Sequence, residues 1–113
     1  MEKIHSLTGM IDLIGHKTSK EDISERIFYA EEILRDIFES YSISEIRTPA
    51  LESSNLFKRS VGDASDIVNK ELYSFLDKNE KSITLRPEGT ASVIRSVIEK
   101  KLDNDTHKLW YLG

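Results

Sequence analysis

Ser82-Ile83-Thr84-Leu85-Arg86-Pro87-Glu88-Gly89-Thr90-Ala91 reads as a strand that ends and a helix that begins. Ile83 and Leu85 alternate along the strand. Pro87 cannot donate to a ladder, and its fixed φ suits a first helical turn. The spacing therefore predicts a helix from Pro87 to Leu102, with Val93, Ile94, Val97, Ile98 and Leu102 as its inward stripe and Asp103-Asn104-Asp105 as its end. Just upstream, Leu72 to Leu76 carries the matching alternation of Tyr73 and Phe75. Between the two runs, Asp77-Lys78-Asn79-Glu80-Lys81 is a polar turn with Asn79 suited to a left-handed position. A β-hairpin feeding a helix places the chain in the α+β class, with an antiparallel sheet flanked by helices.

The rest of the chain extends that frame. Ile23, Ile27, Ala30, Leu34, Ile37 and Tyr41 recur at helical spacing, predicting a helix from Ser19 to Ser40. Ser19 and Asp22 have the spacing of a capping box, and Glu21, Asp22 and Glu25 suit the positive end of the helix dipole. A short strand, Glu45-Ile46-Arg47-Thr48, is stopped by Pro49. Ser53 to Ser60 reads as a short helix with Leu56 and Phe57 in the core, ended by Val61-Gly62, and Asp63 to Lys70 as a loop with at most one helical turn. Lys108-Leu109-Trp110-Tyr111-Leu112 is a strand, after which the sequence stops at Gly113. An apolar, aromatic strand with no later partner leads to the expectation that the chain is the front part of a longer one.

Composition narrows the function. The 113 residues contain no repeat and no Gly/Ser linker, so one domain is expected. The net charge of −4 is not that of a protein held to nucleic acid by bulk charge. The absence of cysteine excludes a disulfide scaffold, a cysteine nucleophile and a thiolate metal site. No apolar run is long enough to span a membrane, and Met1-Glu2-Lys3-Ile4-His5 lacks a secretory core, so a cytoplasmic protein is expected.

Chemistry concentrates at Leu85-Arg86-Pro87-Glu88-Gly89-Thr90. A strand-to-helix junction sets side chains and backbone N–H groups at the mouth of a sheet. There Glu88 can neutralise an ammonium group, Thr90 can add a hydroxyl hydrogen bond, and Gly89 lets a ligand approach the backbone. The alternative is that Glu88 only compensates the helix dipole. Lys58-Arg59, with Arg47, are either phosphate contacts or cations that are solvated or paired with local acids. Asp63, Asp66 and Glu71 match no metal-site spacing, His5, His16 and His107 are scattered, and no metal site is expected. Trp110 and Tyr111 read as core, with base stacking as the alternative. There is no Walker loop, GxGxxG fingerprint, nucleophile elbow or Ser/His/Asp constellation.

Three stretches together resemble the amino-terminal part of histidyl-tRNA synthetase, a class II aminoacyl-tRNA synthetase. The long helix leading into Ser44-Glu45-Ile46-Arg47-Thr48-Pro49 is similar to motif 1 of that class. Leu56-Phe57-Lys58-Arg59-Ser60-Val61-Gly62-Asp63, continuing to Lys70-Glu71-Leu72-Tyr73-Ser74-Phe75, is the second stretch. Thr84-Leu85-Arg86-Pro87-Glu88-Gly89-Thr90-Ala91 is the third and most specific, and Lys108 to Gly113 looks like the strand that opens motif 2. The resemblance implies a histidine pocket at Glu88, Gly89 and Thr90, with Glu88 on the α-ammonium. It implies a homodimer interface at Ile46, Arg47, Thr48 and Pro49. It also implies a whole enzyme that uses ATP and Mg2+ to form histidyl-adenylate and charges tRNA(His). On this reading residues 1–113 are the amino-terminal part of the catalytic domain. The motif 2 arginine, motif 3 and the anticodon-binding domain lie outside them. No catalytic residue falls within the chain, which is expected to be inactive alone and to bind no cofactor. Thr8-Gly9-Met10-Ile11-Asp12 departs from the family's Arg-Gly pair, Asp12-Leu13-Ile14-Gly15 lacks a nearby proline, and Asp63 stands where glutamate is frequent. No active-site role is therefore assigned to the first fifteen residues. Two alternatives are the synthetase-like regulatory subunit of ATP phosphoribosyltransferase and a stand-alone dimerisation module. The regulatory subunit tends to carry an aspartate where this chain has Glu88.

Overall fold

Asp77 organises the turn that closes the hairpin. Its Oδ1 accepts the N–H of Asn79 at 2.8 Å and of Lys81 at 2.9 Å, and its own N–H donates to the Lys81 carbonyl. Glu80, with φ 61°, takes the left-handed position expected of Asn79. The side-chain acceptor is spent on Asn79 itself, and the chain reverses one residue later.

This computed structural model describes residues 1–16, 22–61 and 71–113, which fall into two units, Met1–Ser42 and Ile43–Gly113. In the first unit, helix α1 spans Ser24–Ser40. Asp22 Oδ1 accepts the Ser24 N–H at 2.8 Å, and the buried Ser24 hydroxyl accepts the Ile14 N–H at 3.2 Å. The helix thus begins later than expected from Ser19, which lies outside the described residues. Asp22 serves this start from two residues outside the helix. The expected stripe is open along much of its length, since Ile23, Leu34, Ile37 and Tyr41 are exposed while Ile27 and Phe38 are half-buried. Ser42, at φ 57°, ends the helix by returning its N–H to the Glu39 carbonyl.

The second unit is built around a three-stranded antiparallel sheet. Strands β2 (Leu51–Ser53), β3 (Ser74–Leu76) and β4 (Ser82–Leu85) lie in the order β2-β4-β3. Glu52 faces Thr84, and Ser74 faces Thr84 from the other side. The hairpin is where alternation places it. Strand β2 was not anticipated, and the strand expected over Glu45–Thr48 is reduced to β1, Ser44–Glu45. β1 pairs in parallel with β5, Leu109–Trp110, so the final strand does have a partner, from upstream in the chain.

Helix α2 (Ser54–Val61) follows β2 without a break, close to its expected span, and buries Phe57 to 2% exposure. Helix α3 (Thr90–Glu99) is shorter than the predicted Pro87–Leu102 at both ends. At its start, Glu88 turns back onto the helix from outside it. At its end, Lys101 at φ 55° lets the Leu102 N–H reach the Val97 carbonyl.

The inward positions of this unit are mostly small hydroxyl residues. Thr84 and Ser92 are fully buried, Ser54 and Ser96 nearly so, whereas Ile94 and Ile98 of the expected apolar stripe are exposed. A chain of hydroxyls joins the sheet to α2. Ser54 Oγ lies 2.6 Å from Ser82 Oγ and 2.7 Å from Thr84 Oγ1, and Thr84 Oγ1 lies 2.7 Å from Ser74 Oγ. The loop expected over Asp63–Lys70 lies outside the described residues.

Candidate functional site

The exit from β4 is fixed on both sides. The Leu85 N–H donates to the Tyr73 carbonyl and the Arg86 N–H to the Ala50 carbonyl, each at 2.9 Å. Beyond Arg86, Pro87 ends the ladder and the chain turns into α3. The Arg86 guanidinium reaches back, with Nη1 donating to Thr48 Oγ1 at 3.1 Å. A Cβ on Gly113 would come within 2.8 Å of Nη2. Arg86 therefore gathers the segment after β1, the end of β4 and the segment after β5 in one place.

Glu88 lies one residue before the Gly89 cap of α3. Its Oε2 accepts the Thr90 N–H at 2.6 Å and its Oε1 the Ala91 N–H at 3.0 Å. These are two of the four N–H groups that a helix start leaves without a partner, so the helix-terminal reading of Glu88 is realised in this geometry. It does not exhaust the carboxylate, which has about four lone-pair sites. Held by two backbone donors, the group is fixed in position and still able to accept from an ammonium.

Gly89 has φ −101°, a value open to any residue. What requires glycine there is Tyr111, because a Cβ on Gly89 would lie 2.3 Å from ring Cε2 and 2.6 Å from Cζ. Thr90 Oγ1 is 3.2 Å from the Tyr111 hydroxyl. Glu88, Gly89 and Thr90 thus form one corner, and Tyr111 closes it. The sequence signal for Tyr111 lay in alternation after β5. Trp110 is buried at 9% exposure, so its neighbour points elsewhere.

The corner opens onto a groove of about 1090 Å³ whose walls include Pro49, Leu56, Arg59, Ile94 and Ile98 together with Glu88 and Thr90. Arg59, of the basic pair Lys58-Arg59, is on this groove, and Arg47 is not; Arg47 Nε bonds Glu45 Oε1 at 2.9 Å. An ion pair missed by sequence reasoning lines the groove. Arg95 donates from Nε at 3.0 Å and Nη2 at 2.8 Å to one oxygen of the buried Glu52, and from Nη1 at 2.5 Å to Glu99. The hydrogen bond to Glu52 raises the Arg95 pKa above its ordinary value, against the opposing effect of burial.

Of the expected interface segment, Ile46 donates its N–H to the Trp110 carbonyl at 2.9 Å, Arg47 is exposed, Thr48 accepts from Arg86, and Pro49 lies on the groove. His5, His16 and His107 are exposed, and Asp63 and Asp66 lie outside the described residues. Among the described residues no group of three His, Asp or Glu is gathered in a way that would hold a metal ion. No helix there is long and apolar enough to cross a membrane.

Comparison with known proteins gives consistent matches. The family model described as histidyl-tRNA synthetase matches residues 15–113. The histidine–tRNA ligase of Synechococcus sp. (strain WH7803) is 46% identical over 114 residues, covering 100% of this chain and 24% of its own length. The crystal structure of apo S. aureus histidyl-tRNA synthetase has a TM-score of 0.71 at 38% identity, covering 96% of this chain and 24% of that one. The structure of an ATP phosphoribosyltransferase regulatory subunit/histidyl-tRNA synthetase from Bacillus halodurans C has a TM-score of 0.61 at 23% identity, covering 96% of this chain and 28% of that one. This last likeness is one of fold alone. The chain spans about a quarter of the length of the curated relatives it matches.

Proposed function

The chain belongs to the histidyl-tRNA synthetase family, and from that premise we propose that the whole protein is a histidine–tRNA ligase. It condenses histidine with ATP, in the presence of Mg2+, to histidyl-adenylate and passes the histidyl group to tRNA(His). Residues 1–113 are the amino-terminal part of its catalytic domain, from motif 1 into the first strand of motif 2. As they span about a quarter of the relatives' length, they are expected to be inactive alone.

The observation that carries the site assignment is the corner at Glu88, Gly89 and Thr90. Glu88 is held at a helix N-terminus with acceptor capacity left, and Thr90 lines the same groove. In our reading Glu88 takes the α-ammonium of histidine and Thr90 adds a second acceptor, while Gly89, buried under the Tyr111 ring, makes room for that ring instead of leaving its backbone open to the ligand. Holding the ammonium fixes the adjoining carboxylate for in-line reaction with the α-phosphate, a proximity effect. The described residues gather no ligand set for Mg2+, and none is assigned to it.

We place the homodimer interface at Ile46, Arg47, Thr48 and Pro49. The protein works in the cytoplasm, where its tRNA substrate is.

The test is histidine-dependent exchange of pyrophosphate into ATP by the protein made from its whole reading frame, beside a Glu88→Gln variant. Exchange in the parent and its loss in the variant support both the activity and the role of Glu88. No exchange with any amino acid removes the ligase reading in favour of the regulatory-subunit paralogue. Exchange by the 113 residues alone would overturn the expectation that they are inactive.

A further inference from the structure

We propose that Tyr111 is a positioning residue for the ammonium corner, holding the Thr90 hydroxyl so that its oxygen faces a ligand group that can only donate. This rests on the reading of Glu88 and Thr90 given above and adds a residue from a distant strand. The Tyr111 hydroxyl is 3.2 Å from Thr90 Oγ1. Its ring lies against Gly89, where a Cβ would meet three ring carbons at 2.3–2.9 Å although the backbone itself would accept any side chain. The segment is anchored one residue earlier, since Trp110 is buried and its carbonyl accepts the Ile46 N–H at 2.9 Å.

The chemistry follows from counting donors and acceptors. An ammonium donates and never accepts, whereas a threonine hydroxyl carries one hydrogen and two lone pairs. If Thr90 gives its hydrogen to Tyr111, both of its lone pairs remain for the ligand. If Tyr111 donates instead, one lone pair remains and the Thr90 hydrogen is directed away. In both arrangements the phenol fixes the Thr90 rotamer and leaves an acceptor for the ammonium. Tyr111→Phe keeps the ring on Gly89 and removes only this control.

The experiment is steady-state pyrophosphate exchange with the protein made from its whole reading frame, comparing the parent, Tyr111→Phe, Thr90→Val, their double variant and Glu88→Gln. Tyr111→Phe is expected to raise the KM for histidine about tenfold, the scale of one hydrogen bond, with the KM for ATP and the kcat unchanged. The double variant is expected to be no worse than Thr90→Val, because Tyr111 acts through Thr90. A lowered Tm with equal rises in both KM values marks a merely structural role and overturns the proposal. An unchanged histidine KM in Tyr111→Phe beside a raised one in Glu88→Gln overturns the role of Tyr111 alone. No change in either variant overturns the ammonium reading with it.

Discussion

Glu88 caps the helix that Thr90 opens, its Oε2 accepting the Thr90 backbone N–H at 2.6 Å. The same carboxylate is assigned to the ligand ammonium, so the two roles need separate substitutions. Glu88→Ala removes both and is expected to cost about 1 kcal/mol of stability, as for other lost caps, along with exchange activity. Glu88→Gln keeps one of the two acceptors for the helix and loses the other with the charge. Urea denaturation should place Glu88→Gln between the parent and the alanine variant while exchange falls as far as in the alanine variant. Equal loss of stability in both would mean that the cap depends on the charge or on both oxygens.

At Gly89 the constraint is steric. Gly89→Ala would drive a methyl group into the Tyr111 ring, at the cost of about 1–3 kcal/mol typical of overpacking. Gly89→Ala combined with Tyr111→Ala should recover much of that loss in a thermal melt. No recovery would locate the need for glycine elsewhere.

The hairpin, α2 and the Pro87 junction were legible because their signals are local: alternation, a polar turn and a proline. Strand β2 was not, because its inward residue is Glu52, whose partner Arg95 is 43 residues away. The inward faces of β4 and α3 were misjudged for a related reason. Thr84, Ser92 and Ser96 carry the burial there, and small hydroxyl residues read as surface until their partners are known. In the site, Glu88, Gly89 and Thr90 could be picked out from the junction alone. For Tyr111 alternation marks only a face opposite Trp110; its contact to Thr90 was not legible, because it spans 21 residues.

Thr84 is the hub of the hydroxyl chain, within 2.7 Å of both Ser54 and Ser74, and is fully buried. Thr84→Val preserves shape and strips both neighbours of a partner, for an expected loss of about 1–3 kcal/mol. Thr84→Ser keeps the oxygen and should lose less. Chemical denaturation of the two variants decides the matter. If valine is the milder change, the hydroxyls contribute little.

Arg95 is the partner of the buried Glu52 carboxylate. Arg95→Met should cost about 2–3 kcal/mol, the lower end for a broken buried pair because the arginine remains partly in water. The raised Arg95 pKa makes its contribution fully present below the unfolded value and lost only as pH rises through the higher folded value. The stability difference between parent and variant is therefore expected to be flat from about pH 6 to about pH 9. A difference that shrinks on going from neutral to alkaline pH would contradict this.

The parallel pairing of Ser44-Glu45 with Leu109-Trp110 sets an order of events during synthesis. A ribosome delivers β1 long before β5 exists, whereas β3 and β4 emerge almost together. Closing so long a loop is entropically costly and is expected to be slow. β1 and the Thr48-Pro49 segment behind it should stay unpaired on the nascent chain after the hairpin has formed. Pulse-labelled hydrogen exchange should show the Leu85 amide protected before those of Ser44 and Ile46; simultaneous protection would refute this order. The segment proposed above for subunit association would then be the last part of the unit to mature, and any association through it would wait for the hairpin.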